Sequence, residues 1–296
     1  MLKVDGVFSG GGVKGVAFIG ALEEIEKKGF QFERLAGTSA GSIVAALTAA
    51  NYKAEDLQKM ITSLDFSELL VESKWSKAFP FMKWIRLYYQ LGLYKGDGLE
   101  AWLHKKLEDR GIRSFNDLPK DKLKIIGTDV SLNKMVVFPD DVERYYGIDG
   151  MKFSVAKAVR ISCSIPFFFI PTKLKHHFSE KSLLVDGGFL SNFPIWLFTK
   201  DGKRKRPILG LQLSTSYQEL RERNISGAID FYKELFTTMM KAHDARYINK
   251  EIKKDVMFIP IEHVEATDFD ISIKEKEELM KIGREYARSF LRKWSY

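Results

Sequence analysis

Apolar and polar positions alternate in two distinct rhythms near the start of the chain. Residues 4–9 are a short apolar run, read as a strand, and residues 16–28 place Val16, Ile19, Ala21, Leu22 and Ile25 at helical spacing before Gly29. Residues 30–36 form a second strand, and 42–51 hold good helix formers at nearly every position. Strand, glycine loop, helix, strand, serine turn, helix is a βαβα start. It predicts an α/β protein with a parallel sheet and right-handed crossovers.

The pattern continues with a helix and its continuation over 55–70 and an amphipathic helix over 98–110. Strands over 122–129 and 134–138 are expected to pair around Ser131-Leu132-Asn133. Residues 154–160 are helical, 183–186 are a short strand ending in Asp186-Gly187-Gly188, and 207–213 and 256–261 are the last strands. A charged helix over 271–294 closes the chain, its apolar face including Leu279, Ile282, Tyr286 and Phe290. The charge run 200–206 reads as a solvated loop. Without an internal repeat or a Pro-, Gly- or Ser-rich linker, 1–296 is expected to be one domain, with a motif-bearing core over 4–213 and a C-terminal strand and helix within 256–296.

One stretch differs in kind. Residues 74–95 carry Lys74, Lys77, Lys83, Arg86 and Lys95 against no acidic residue, interleaved with Trp75, Phe79, Phe81, Trp84, Tyr88, Tyr89 and Tyr94. Aromatics packed on the sheet are one reading. A lid or flap against a lipid surface is the other, since Trp and Tyr favour the interface while Lys and Arg meet anionic headgroups.

Composition narrows the setting. A hydrophobic fraction of 45% and a charged fraction of 29% belong to an ordinary globular protein. The net charge of +8 favours an anionic partner, either nucleic acid or an anionic lipid surface. The single cysteine, Cys163, excludes an internal disulfide and a cysteine-based metal cluster, which suits a reducing compartment. The amino terminus shows no secretory signal. No apolar run approaches the ~18 residues of a membrane span. A cytoplasmic protein, peripheral at membranes, is expected.

Candidate chemistry centres on Gly37-Thr38-Ser39-Ala40-Gly41. A serine on a sharp strand-to-helix turn is held in a strained conformation, and glycines two residues to either side let neighbouring backbone approach. The amino end of the following helix favours negative charge at the Ser39 hydroxyl. An acyl-transfer nucleophile also needs donors for the oxyanion, and Gly10, Gly11 and Gly12 after the first strand can expose consecutive backbone N–H groups. For the base, chain order leaves His243 or His263 among the five histidines His104, His176, His177, His243 and His263. Asp186, at a strand end before two glycines, is the alternative.

Gly10, Gly12 and Gly15 also fit the dinucleotide fingerprint, which would make the protein an oxidoreductase. That reading needs an acid ending the second strand. Glu33 lies near the strand's beginning instead, and no Gly-Lys-Ser or Gly-Lys-Thr supplies a Walker loop. A catalytically silent lipid-binding module is the second alternative.

Four blocks in order give the chain a closer likeness. Gly10-Gly11-Gly12-Val13-Lys14-Gly15, Gly37-Thr38-Ser39-Ala40-Gly41, Arg160-Ile161-Ser162-Cys163-Ser164-Ile165-Pro166, and Asp186-Gly187-Gly188 with Asn192 and Pro194 resemble those of the patatin-like phospholipase family. The resemblance implies a three-layer α/β/α sandwich around a mainly parallel sheet. It further implies a Ser39–Asp186 dyad without histidine, cofactor or metal, and hydrolysis of lipid or phospholipid acyl esters rather than nucleic-acid binding. Gly10, Gly11 and Gly12 would form the oxyanion block, and Lys14, Ser162 and Pro166 would line the substrate. The basic aromatic stretch, not the resemblance, is what points to Trp75, Trp84 and nearby Lys and Arg as the residues that would meet the membrane. Two departures stand out: Ser9 replaces an acid that many members carry, and Lys14 replaces an arginine, which weakens a bidentate grip on phosphate. Beyond about residue 207 the likeness is loose.

Overall fold

The computed structural model describes residues 2–70, 87–175, 181–199, 205–214, 225–247 and 250–295. β1 (Leu2–Phe8) passes through a one-turn 3-10 helix, Gly12–Val16, into α1 (Ala17–Lys27); β2 (Phe30–Thr38) runs into α2 (Ala40–Ala49) and α3 (Ala54–Ser63). Next come β3 (Gly92–Tyr94), α4 (Asp97–Glu108), β4 (Leu123–Asp129), β5 (Lys134–Phe138), α5 (Val155–Ser162), β6 (Phe167–Phe169), β7 (Thr172–Leu174) and β8 (Ser182–Asp186). β9 (Ile208–Ser214), α6 (Ala228–Tyr247), β10 (Val256–Pro260) and α7 (Ile273–Lys293) follow.

The main sheet has the order β10-β9-β1-β2-β4-β8-β7, with β5 also on β4. From β10 to β4 neighbours are parallel, while β8, β7 and β5 pair antiparallel. Alternate strand residues divide between two buried clusters. Phe8, Leu35, Leu211 and Met257 join the larger one with α1, α2 and α7, and Val7, Ala36, Ile208 and Val256 join Phe193 and Phe198 in the smaller. Two-residue periodicity thus sends neighbouring side chains to opposite faces, each covered by helix: the expected α/β/α sandwich.

α7 closes against α1 at very short range. A methyl added at Gly20 would stand 1.8 Å from the Met280 carbonyl oxygen, and one at Gly283 would stand 1.8 Å from that of Ala17. Bare glycines let the two backbones touch, and Arg284–Glu23 at 2.7 Å and Arg288–Glu24 at 3.0 Å flank the crossing. The crossing sets which face of α7 is buried. Leu279, Met280, Gly283, Ala287 and Leu291 turn inward, whereas Tyr286, expected on that face, is 44% exposed.

Other elements depart from the sequence reading. The stretch 55–70 breaks after Ser63 into a short 3-10 turn, Phe66–Leu69, because the Asp65 carboxylate accepts the Ser67 N–H and starts a new cap. Most of the basic aromatic stretch, with Trp75 and Trp84, lies outside the described residues, as do His176 and His177. Its tail contains β3, which pairs with β6 in a separate two-stranded ribbon and was not foreseen. Arg206, at the end of the charge run, is not a free solvated side chain; it lies 3.7 Å from the buried Asp5 carboxylate.

Candidate active site

β2 ends in the serine turn, and the turn's geometry explains its composition. A methyl on Gly37 would come 2.4 Å from the Gly41 carbonyl oxygen, and one on Gly41 would come 2.4 Å from those of Phe8 and Ser9. Ser39 itself has φ 50 and ψ −128, a conformation that side-chain-bearing residues rarely adopt and that costs on the order of 1–3 kcal/mol. The strain is held from several directions. The Ser39 N–H donates to Ser162 Oγ at 2.9 Å, its carbonyl accepts from the Ser42 N–H and hydroxyl, and Thr38 Oγ1 donates to the Ser191 carbonyl at 2.9 Å. Ser39 caps α2, so the helix's amino end lies directly behind it.

β4 brings Asp186 to the same place. β5 occupies one edge of β4 along 125–129, so β2 and β8 must share the other, β2 opposite 123–126 and β8 opposite 127–129. β2 runs with β4 and β8 runs against it, so their carboxyl ends meet. Thr38 stands opposite Ile126, and Asp186 stands opposite the next residue, Gly127.

The Asp186 carboxyl is 2% exposed. Burial drives its pKa up to about 7 against two weaker opposing influences, the Ser39 hydroxyl and the Gly188 N–H, which donates to Oδ1 at 2.7 Å. Oδ2 makes no hydrogen bond of ordinary length and angle, although the Ser39 hydroxyl approaches the carboxyl closely enough to favour its ionised form. A carboxyl of this kind can take a proton near neutrality. Of the imidazoles whose side chains are described, His104 and His263 are both exposed; the side chain of His243, like His176 and His177, lies outside what is described.

The glycine loop lies over the serine. A methyl on Gly10 would stand 3.2 Å from Ser39 Cβ. The Gly10 N–H, expected among the oxyanion donors, is instead engaged by the Asn192 carbonyl at 3.0 Å, and Val13 N–H by Ala266 at 3.0 Å. Gly11 and Gly12, between these two anchors, remain as candidate donors. The dinucleotide alternative loses its acid, because Glu33 sits in the first half of β2 and pairs with Lys3 at 3.0 Å.

An apolar cavity of about 100 Å³ opens from Ser39. Val13, Val16, Ile43, Val44, Leu57, Leu99 and Phe269 are among its walls, and among the described residues Ser39 is the only hydroxyl on its lining. Of the expected substrate-lining residues, none borders it. Ser162 is fully buried and turned to the Ser39 N–H, Pro166 is flanked by the true lining residue Ile165, and Lys14 sits half-buried in the Gly12–Val16 turn. Cys163 does line the cavity, but burial pushes its thiol far above the ordinary range and leaves it protonated and unreactive.

Two buried residues escaped the sequence reading. Arg160 donates to Ser164 Oγ and to the Ile170 carbonyl at 2.9 Å, and the Ser164 carbonyl accepts the Asp186 N–H at 2.9 Å. Asp244 on α6 accepts from Asn192 Nδ2 at 2.9 Å, Phe193 N at 3.0 Å and Gln212 Nε2 at 3.2 Å. Arg160 lay within a recognised block, but Asp244 carried no sequence signal.

The strained serine, the buried carboxyl and the apolar cavity define a lipid-hydrolase type of site on an α/β/α sandwich. Residues 6–199 match the patatin-like phospholipase model, and the chain belongs to that family. It is 45% identical over 295 residues, 100% of both chains, to YqhO of Bacillus subtilis (strain 168). It is 27% identical over 195 residues to a cUMP-AMP-activated phospholipase of Escherichia coli, covering 62% of this chain and 54% of that one. Among solved structures, VipD of Legionella pneumophila superimposes with a TM-score of 0.60 at 15% identity, covering 98% of this chain and 67% of that one. The type III effector ExoU gives 0.51 at 16% identity, covering 98% and 53%. These two likenesses are of fold. Among the described residues no helix is long and apolar enough to cross a membrane.

Proposed function

We propose that the protein hydrolyses fatty acyl esters of lipids through an acyl-enzyme on Ser39, with Asp186 as the base. Ser39 Oγ attacks the ester carbonyl carbon as its proton passes to Asp186, and the Gly11 and Gly12 N–H groups stabilise the oxyanion. Collapse of the tetrahedral species breaks the bond to the alcohol oxygen, which leaves with the proton from Asp186. Water, deprotonated by the same carboxylate, then attacks the acyl-serine and releases the fatty acid, returning the proton to Ser39. The acyl chain occupies the apolar cavity. Lys14 offers a headgroup phosphate a point charge rather than a bidentate fork, so the reading rests on the acyl ester and not on the headgroup. Surface docking is assigned to the basic aromatic stretch with Trp75 and Trp84.

The observation that carries this reading is the head-to-head meeting of β2 and β8 on β4, which supports a direct serine–carboxylate pair at the mouth of an apolar cavity. A serine-directed fluorophosphonate tests it. Wild type should be labelled at Ser39, Ser39→Ala should not be labelled, and Asp186→Asn should react roughly 10³-fold more slowly or worse. Labelling at another serine, or none in wild type, overturns it; the latter would favour a silent lipid-binding module.

A further inference from the structure

Asp244 is 4% exposed and faces no cation among the described residues, yet it accepts three hydrogen bonds from neutral donors. A buried carboxylate held only by amides is costly unless its geometry is used, and each of those amides leads toward the site. Asn192 is the main link. Its side-chain amide and the next backbone N–H are both fixed by Asp244, while its own carbonyl accepts the Gly10 N–H at 3.0 Å. Asn192 Oδ1 is packed so close to Gly10 that a methyl there would come within 2.4 Å of it. Gln212, the third donor, precedes Leu213, whose N–H donates to Ser9 Oγ at 3.0 Å at the start of the same loop.

We infer that Asp244 is a positioning residue which, through Asn192 and Gln212, fixes the glycine loop so that the Gly11 and Gly12 N–H groups face the oxyanion formed at Ser39. The inference rests on the acyl-hydrolase reading above. It gives α6, which lies beyond the family match, a part in the reaction without contact to substrate. α6 is already placed for this: Phe236 packs on Phe189 at 5.2 Å, one residue past the glycines that follow Asp186.

The test compares Asp244→Ala, Asp244→Asn, Asn192→Ala and the Asp244→Ala/Asn192→Ala double variant on a short soluble ester and with the fluorophosphonate, each scaled to the folded fraction by circular dichroism. Loss of one oxyanion donor is worth about 10²–10³ in rate, so partial misplacement should lower kcat about 10–100-fold with KM changed less than threefold. The double variant should be no slower than the slower single one, because both act on one link. Asp244→Asn keeps the shape and guards against simple misfolding; it should show the same split in milder form. Asp244→Ala and Asp244→Asn reacting within twofold of wild type, or multiplicative losses in the double variant, overturn the inference while leaving Ser39 labelling intact. Failure of wild type to label at Ser39 would instead overturn the underlying reading.

Discussion

The Ser162 hydroxyl accepts the Ser39 N–H at 2.9 Å across 123 residues of sequence. This bond locks the turn from behind, so the strained backbone of Ser39 is maintained by α5 as well as by the glycines beside it. Ser162, expected at the substrate, here turns its hydroxyl to the backbone of Ser39.

The raised pKa of Asp186 gives a pH prediction with a definite sign. The proposed mechanism needs the ionised carboxylate, so kcat/KM should rise with pH through about 7 and level off above it. Stability runs the other way. Burial makes the folded protein bind this proton more tightly than the unfolded chain, so folding loses stability as pH climbs from the ordinary aspartate range through about 7. Asp186→Asn should therefore unfold with a free energy higher than wild type at pH 8, by up to about 4 kcal/mol, with the difference closing below pH 4. Chemical denaturation at the two pH values checks it; equal stabilities at pH 8 contradict it.

Val44 borders the cavity on α2, the helix that Ser39 caps. Val44→Phe should shorten the accepted acyl chain. Each methylene denied burial costs about 0.8 kcal/mol, or roughly fourfold in kcat/KM. Short acyl esters should be hydrolysed nearly as before and long ones progressively worse, measured across a chain-length series. A uniform loss would mean that the acyl group lies elsewhere.

Gly283→Ala should be among the more damaging single changes outside the site. Its methyl would stand 1.8 Å from the Ala17 carbonyl, and backbone cannot yield as a flexible side chain does. Overpacking of this kind typically costs about 1–3 kcal/mol. Urea unfolding should show a lower midpoint with an unchanged slope.

Trp75→Ala combined with Trp84→Ala should weaken binding to anionic vesicles and spare hydrolysis of a short soluble ester. Co-sedimentation with vesicles measures it, and undiminished binding would remove the docking role from this stretch.

The strand and helix order was legible because each element carries its own periodicity, and the tight turns at Ser39 and Asp186 because they demand glycine. What escaped depended on distant partners. Tyr286 fits the apolar stripe on α7, yet Gly20 and Gly283 bring α1 so close that the buried face turns toward Met280, Gly283 and Ala287, leaving Ile282 and Phe290 at its margin and Tyr286 outside it. The Gly10 N–H is taken by the carbonyl of Asn192, a partner 182 residues away that no local pattern announces. Asp244 sits in a polar helix like many others, and only the fold reveals that Asn192, Phe193 and Gln212 converge on it.

Because β2 and β8 abut on one neighbour, β4 acts as a ruler for the hydroxyl and the carboxyl. Their spacing is fixed by that register rather than by the length of chain between β5 and β8, a stretch that contributes instead through Ser162 and the Ser164 carbonyl, which hold the backbone of Ser39 and Asp186. A one-residue slip of β4 is another matter: it would move the pair apart by about 3.3 Å and turn every side chain on the strand to the wrong face.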